Sequence, residues 1–204
     1  MENTLELKQL SNADDILKKI IATTELPEIK STNNVFHDLM SCVIEQQIHY
    51  RSTKKIFQKM LDASDMKMLT LENFNQFETK AFSNVKLSAS KYDTLLSIIT
   101  FWNSKTIDWQ TLSDEEVKIT LSQINGIGTW TIDMILLYTL QRPNVFPYDD
   151  FHLKQIMTSL YGLNPSVKLK AQMIAIADEW GENKSLAVRY LLAWKESKKR
   201  GGDF

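Results

Sequence analysis

Apolar and polar positions recur with a helical period along almost the whole chain. From Asn12-Ala-Asp-Asp onward, Ile16, Ile20 and Ile21 fall on one side and lysines on the other, which predicts an amphipathic helix with a capping start. Residues 27–34 read as a polar connection. The longer apolar run VFHDLMSCVIEQQ, Val35 to Gln47, predicts a central helix of a first lobe. A second helix from about Ser52 to Leu61 sets Ile56, Phe57 and Met60 on one face and Lys54, Lys55 and Lys59 mostly on the other. Leu69 to Phe82 reads as short helices and turns, and Ser88 to Trp102 as another amphipathic helix. Ser113-Asp-Glu-Glu ahead of Val117 places acids in a first helical turn, where the helix dipole favours them. Beyond Asp150, helices are expected over 151–161, 166–179 and 184–198, with a frayed basic tail. There is no repeat, no low-complexity segment and no convincing strand alternation. The expectation is an all-α protein of about nine or ten helices.

The pattern changes character between Leu121 and Lys154. A helix-like run ends at a tight Gly126-Ile127-Gly128 hairpin, and an apolar helix follows from Thr129 to about Leu140. A Pro-bounded extended piece, Arg142 to Pro147, leads to two adjacent carboxylates, Asp149 and Asp150, at the start of the next helix. A helix of about twelve residues rises ~18 Å, and the extended piece is long enough to run back alongside it. A backbone anion site and a carboxylate are therefore expected to share one cleft. Glycines allow a tight turn whose N–H groups meet a ligand unobstructed, and a helix N-terminus holds phosphate without a cationic side chain. Thr129 or Thr131 adds a hydroxyl. An ordinary helix–helix turn and a pair of solvated helix caps are the plain alternatives; in the catalytic reading Asp149 is the cap.

Charge narrows the possibilities. Lys plus Arg number 24 against 25 Asp plus Glu, for a net charge of −1. That opposes a protein that coats nucleic acid electrostatically, but not one that holds a few phosphates through backbone dipoles. The single Cys42 excludes an intrachain disulfide and a cysteine-rich metal site, and its apolar setting predicts a buried structural thiol. His37, His49 and His152 are scattered, with no paired spacing suited to a catalytic metal. No signal peptide and no apolar run of membrane-spanning length is present, so an intracellular soluble protein is expected.

Two further features bear on chemistry. In Glu45-Gln-Gln-Ile-His-Tyr-Arg51, an apolar tip, Ile48, lies between the hydrogen-bonding residues Gln47 and His49. That arrangement suits a wedge entering a base stack, although a buried helix corner has the same composition. Among the aromatics, Trp130 stands out because it directly follows the hairpin, where it can stack a planar ligand.

Ile124-Asn-Gly-Ile-Gly-Thr-Trp-Thr-Ile132 followed by Asn144-Val-Phe-Pro-Tyr-Asp-Asp-Phe-His-Leu153 resembles the helix–hairpin–helix DNA glycosylase superfamily. Val43-Ile-Glu-Gln-Gln-Ile48 is similar to the glutamine-containing segment of its DNA-3-methyladenine glycosylase II branch, and the likeness runs from about Val35 to Trp194. It implies a two-lobed helical fold with a cleft between the lobes, formed by one domain over 1–204. The lobes would be roughly 30–110 and 111–200, with the N-terminal helix assigned to neither.

The resemblance also implies roles. Asp150 aligns with the catalytic aspartate, and Trp130 stands where bifunctional members carry a Schiff-base lysine, so a monofunctional enzyme is expected. Trp130 and Met134 would line the base pocket. Gly126, Ile127, Gly128, Thr129 and Thr131 would form the phosphate-binding hairpin, with a monovalent cation at the carbonyls of Ser122, Ile124 and Ile127. Gln47, Ile48 and His49 would probe the lesion. The implied activity is hydrolytic excision of alkylated purines from double-stranded DNA by a monomer with no cofactor and no membrane association. It would act in the bacterial nucleoid or the eukaryotic nucleus. A non-catalytic damage-sensing module and a glycosylase for oxidised or deaminated bases are the competing readings.

Overall fold

The computed structural model describes residues 4–25, 28–29, 31–45, 54–82 and 87–201. Among them there is no strand. The elements are α1 (Thr4–Ala13), α2 (Asp15–Thr23), α3 (Val35–Glu45), α4 (Lys54–Ala63), α5 (Phe74–Ala81), α6 (Ala89–Ser104), α7 (Asp114–Ser122) and α8 (Thr129–Met134). The chain continues from α8 as a π turn over Ile135–Thr139, then forms α9 (Phe151–Tyr161), α10 (Leu169–Asp178), a short 3₁₀ turn and α11 (Lys184–Gly201). No helix among the described residues is long and apolar enough to cross a membrane.

The all-helical expectation holds, with differences at the ends of the chain and on α3. Helix α1 was not anticipated: of its apolar residues Leu10 is buried, whereas Leu5 is 66% exposed, so its periodicity is weak. Asp14 separates α1 from α2 by accepting from the backbone N–H groups of Ile16 and Leu17 at 2.8 and 2.9 Å. Cys42, expected to be buried, is only half-buried. Leu39, Met40 and Val43 take the core side of α3, and residues 41 and 42 fall between them in register.

The chain divides into two compact units, Ser31–Gln141 and the combination of Met1–Lys30 with Arg142–Phe204. In the first, α3 packs against α4, α6 and the π turn around fully buried Leu39, Met40, Leu69, Phe77, Leu95 and Ile98. Ser113 caps α7 in a reciprocal box: its Oγ accepts from Glu116 N–H at 3.3 Å, and Glu116 Oε2 accepts from Ser113 N–H at 2.8 Å. The π turn is closed by Leu140 N–H donating five residues back to Ile135 O at 2.9 Å. It is held from the side as well. Thr139 Oγ1 and Thr32 Oγ1 both donate to Asp38 Oδ2, at 2.7 and 2.9 Å, and Ser31 Oγ donates to Thr139 O at 2.8 Å.

In the second unit, α11 packs on α2 and α9, burying Leu17, Leu153, Met157, Val188 and Leu191. Distant parts of the sequence are joined at Asp14. Its Oδ2 accepts from Tyr161 Oη at 2.6 Å and from Trp180 Nε1 at 2.9 Å, while Oδ1 caps α2. Burial, and then the bond to Asp14, push the Tyr161 phenol well above its usual range.

This carboxylate serves one helix cap and two part-buried side-chain donors, so Asp14→Ala is expected to lower unfolding free energy by roughly 2–4 kcal/mol. Asp14→Asn, which can still cap, should lose distinctly less. Urea denaturation followed by circular dichroism measures both.

Candidate active site

The candidate residues fall on both units, and each group is built within its own. In the Ser31–Gln141 unit, α7 ends at Ser122 and the chain turns through Ile124 to Gly128. Two backbone bonds close the turn: Ile124 N–H donates to Leu121 O and Ile127 N–H to Ile124 O, each at 3.1 Å. Gly126 has φ +87°, and a Cβ there would lie 2.1 Å from Thr94 Oγ1 on α6. Any side chain would meet both an unfavourable backbone region and a buried neighbour, so only glycine fits.

Gly128 differs: its φ is −97°, and a Cβ there would have nothing within 4 Å. As the N-cap of α8 it carries no side-chain acceptor over the first-turn N–H groups, and its carbonyl accepts from Ile132 N–H at 3.2 Å. The positive end of the helix dipole therefore emerges on an open face.

Of the predicted hairpin residues, Thr129 is exposed, whereas Thr131 is buried at 1% exposure and directs its side chain into the fold. Ile127 is buried, and its N–H is used inside the turn. Trp130 is half-buried, and Met134 is buried four residues later on the same helical face. Gln47, Ile48 and His49 lie outside the described residues. Sequence reasoning overlooked Thr94, the seat of the hairpin. It is one of many polar residues in an amphipathic helix, and only the glycine opposite it gives it meaning.

In the other unit, Asp150 is 7% exposed and adopts the extended backbone of an N-cap (φ −64°, ψ 125°). Its Oδ1 accepts from Leu153 N–H at 2.8 Å, fixing the carboxylate at the positive end of α9. Capping was expected of Asp149 but belongs to Asp150. Asp149 sits one residue too early to reach the first-turn N–H groups; it is exposed and pairs with Lys154 Nζ at 3.0 Å. His152 occupies the first turn of α9. Its Nδ1 lies 3.1 Å from Lys195 Nζ on α11, which also donates to Gln155 Oε1 at 2.6 Å.

The two glycines differ in what a methyl would meet. Gly126→Ala is expected to destabilise the Ser31–Gln141 unit by about 2 kcal/mol or more. Gly128→Ala should leave the melting temperature within a few degrees of wild type, because its methyl would have nothing within 4 Å. Differential scanning fluorimetry distinguishes the two.

No family model matches the chain. DNA-3-methyladenine glycosylase 1 of Schizosaccharomyces pombe is 30% identical to it over 168 residues, covering 80% of this chain and 72% of that protein. The solved structure of the S. pombe 3-methyladenine DNA glycosylase with abasic DNA superposes with a TM-score of 0.82 at 28% identity, covering 96% and 97% of the two chains. A more distant likeness in fold is the Clostridium acetobutylicum 8-oxoguanine glycosylase/lyase bound to double-stranded DNA, with a TM-score of 0.76 and 22% identity. It covers 98% of this chain and 71% of that one.

Proposed function

Because the chain belongs to the DNA-3-methyladenine glycosylase family of the helix–hairpin–helix superfamily, and is a DNA glycosylase, we propose that it excises alkylated purines from double-stranded DNA by hydrolysis alone. The relatives' activity supports the substrate class. The observation that carries the chemistry is Asp150: a buried carboxylate, fixed by Leu153 N–H at a helix start, in the motif position the family uses for its aspartate.

Cleaving the N-glycosidic bond sends the bonding electron pair to the departing base and leaves positive charge on C1′ of the deoxyribose. A preorganised carboxylate stabilises that oxocarbenium-like state. Water then adds to C1′ and loses its proton, with Asp150 orienting it, and an abasic site results. A purine alkylated on a ring nitrogen is already cationic and leaves readily. Trp130 favours it by stacking and cation–π attraction, with Met134 filling the pocket behind.

The DNA backbone is held at Gly126 to Thr129 by backbone N–H groups and the Thr129 hydroxyl, while Gln47, Ile48 and His49 probe the stack. The carbonyls of Ser122, Ile124 and Ile127 lie at and just past the C-terminal end of α7. They suit a hard monovalent cation, which would supply a charge partner for the same phosphate. The protein works as a monomer on genomic DNA. The fold alone does not decide between hydrolysis and a lyase step, since a glycosylase/lyase shares it. The indole of Trp130, where a Schiff-base amine would have to stand, supports hydrolysis.

Two expectations follow. With few cations and a dipole-based phosphate site, log affinity for duplex DNA should fall with log salt at a slope equivalent to about two to five phosphates. Titrations between low and physiological salt give that slope, and a value typical of a strongly basic protein would place the binding face elsewhere.

Asp150→Asn should keep its fold, because asparagine caps a helix as well as aspartate, and should bind methylated duplex as tightly as wild type or more so. Its base release should drop by about a hundredfold or more. Mass spectrometry of released bases reads the rate. The wild-type product should be an intact abasic strand, and a borohydride-trapped protein–DNA adduct would refute the hydrolytic reading.

A further inference from the structure

Asp150 is delivered by an extended segment, and one side chain holds the start of that segment. Ser185 is buried in the first turn of α11, where it is the second residue, so its N–H has no partner within that helix. That N–H donates to Pro143 O at 2.9 Å. The hydroxyl is used in both directions: Ser185 Oγ donates to Arg142 O at 2.6 Å and accepts from the N–H of buried Val145 at 2.9 Å. Three backbone groups of the segment therefore end on one serine. Beside them, Asn144 Nδ2 donates at 3.0 Å to Oε2 of Glu182, in the 3₁₀ turn just ahead of α11.

Little slack is left between this seat and the carboxylate. The Phe146 ring meets Trp180 edge-on at 5.8 Å, and Pro147 is buried. Tyr148 N–H donates to Phe146 O at 2.8 Å and Asp150 N–H to Pro147 O at 2.9 Å, so the chain turns twice on itself before α9 begins. α9 in turn packs on α11, with Leu153, Met157 and Leu191 in the core. α11 thus fixes Asp150 from both sides: its first turn holds the segment that leads in, and its body supports the helix that leads out. Apolar contacts alone would keep the segment in the core without fixing its register along α11. A buried hydroxyl with donor and acceptor both engaged supplies that direction. Stabilising a developing charge depends on where a carboxylate stands, and a shift of about 1 Å is enough to cost on the order of a hundredfold in rate.

We propose that Ser185 is a positioning residue for base excision: by seating Arg142 to Val145 on the start of α11, it sets where Asp150 stands relative to C1′ of the deoxyribose. This rests on the reading of Asp150 as the carboxylate that stabilises the oxocarbenium-like state. Ser185 itself touches no reacting atom.

The test is single-turnover excision from a methylated duplex, well below the melting temperature of every variant. Rates are normalised to folded protein, and duplex affinity is measured alongside. Ser185→Ala should slow base release about tenfold or more and leave affinity within about twofold, because only the placement of the carboxylate changes. Ser185→Cys keeps the size of the side chain with a weaker donor and acceptor. It should slow release about threefold, and it supplies the same comparison if Ser185→Ala does not fold. In an Asp150→Asn background, itself slow, either Ser185 substitution should add nothing further, since no charge remains to be placed. A Ser185 variant that melts earlier but releases base at the wild-type rate would overturn the inference and leave the serine a purely structural role. So would the same loss recurring on top of Asp150→Asn, or a loss confined to duplex affinity. An Asp150→Asn protein working at full rate would overturn the proposed chemistry and this inference with it.

Discussion

The backbone of Gly126 passes so close to Thr94 that no side chain can stand between them, and much of the Ser31–Gln141 unit is arranged to permit that approach. α6 is long and anchored, with Leu95 and Ile98 fully buried beside Thr94. α7 is started firmly by its capping box and then stops, so the chain arrives at Thr94 at the right height. From that contact the direction of α8 follows, and with it the side on which the first-turn N–H groups emerge and the depth at which Trp130 sits.

The proposed dipole-based hold on a polyanion is compatible with the net charge of −1 of this DNA glycosylase. Fixed dipoles act at short range and do not require a basic surface. At the start of α9, Asp150 Oδ1 accepts from Leu153 N–H, and Lys154 pairs with Asp149.

Helices with strong starts and one apolar face were legible in the sequence. α9 was expected over 151–161 and is found there, and Ser113 and Ser88 cap α7 and α6 as their positions suggest. The turn at Gly126 to Gly128 was legible too, although glycines in this spacing suit an ordinary helix–helix turn as well as a phosphate site. Weakly periodic α1 was not legible, since only Leu10 marks its buried side. Nor was Asp14 with Tyr161 and Trp180. Those partners are brought together by the packing of helices far apart in sequence, and a hydrogen bond across such a separation leaves no local pattern. The sequence also marked the two carboxylates but gave the cap to the wrong one: Asp149 was expected to cap α9, and Asp150 does so. Which one caps depends on a single residue of register at the start of α9.

The π turn after α8 has a consequence for how this segment tolerates insertions and deletions. A π turn is what an α-helix becomes when it takes in one more residue without displacing its neighbours. Removing any one residue from Ile135–Thr139 would let the ladder close in α register. Leu140 and Gln141 would then rotate by about 100° about the helix axis and withdraw by ~1.5 Å. Thr139 would turn away from Asp38 and Ser31, and Gln141, already at φ +52°, would have to re-form the exit from the helix. Between the hairpin and Arg142, the length of the chain is thus under tighter constraint than the identity of its apolar side chains. Leucine replaces isoleucine here at modest cost, but a single-codon deletion would redirect the chain.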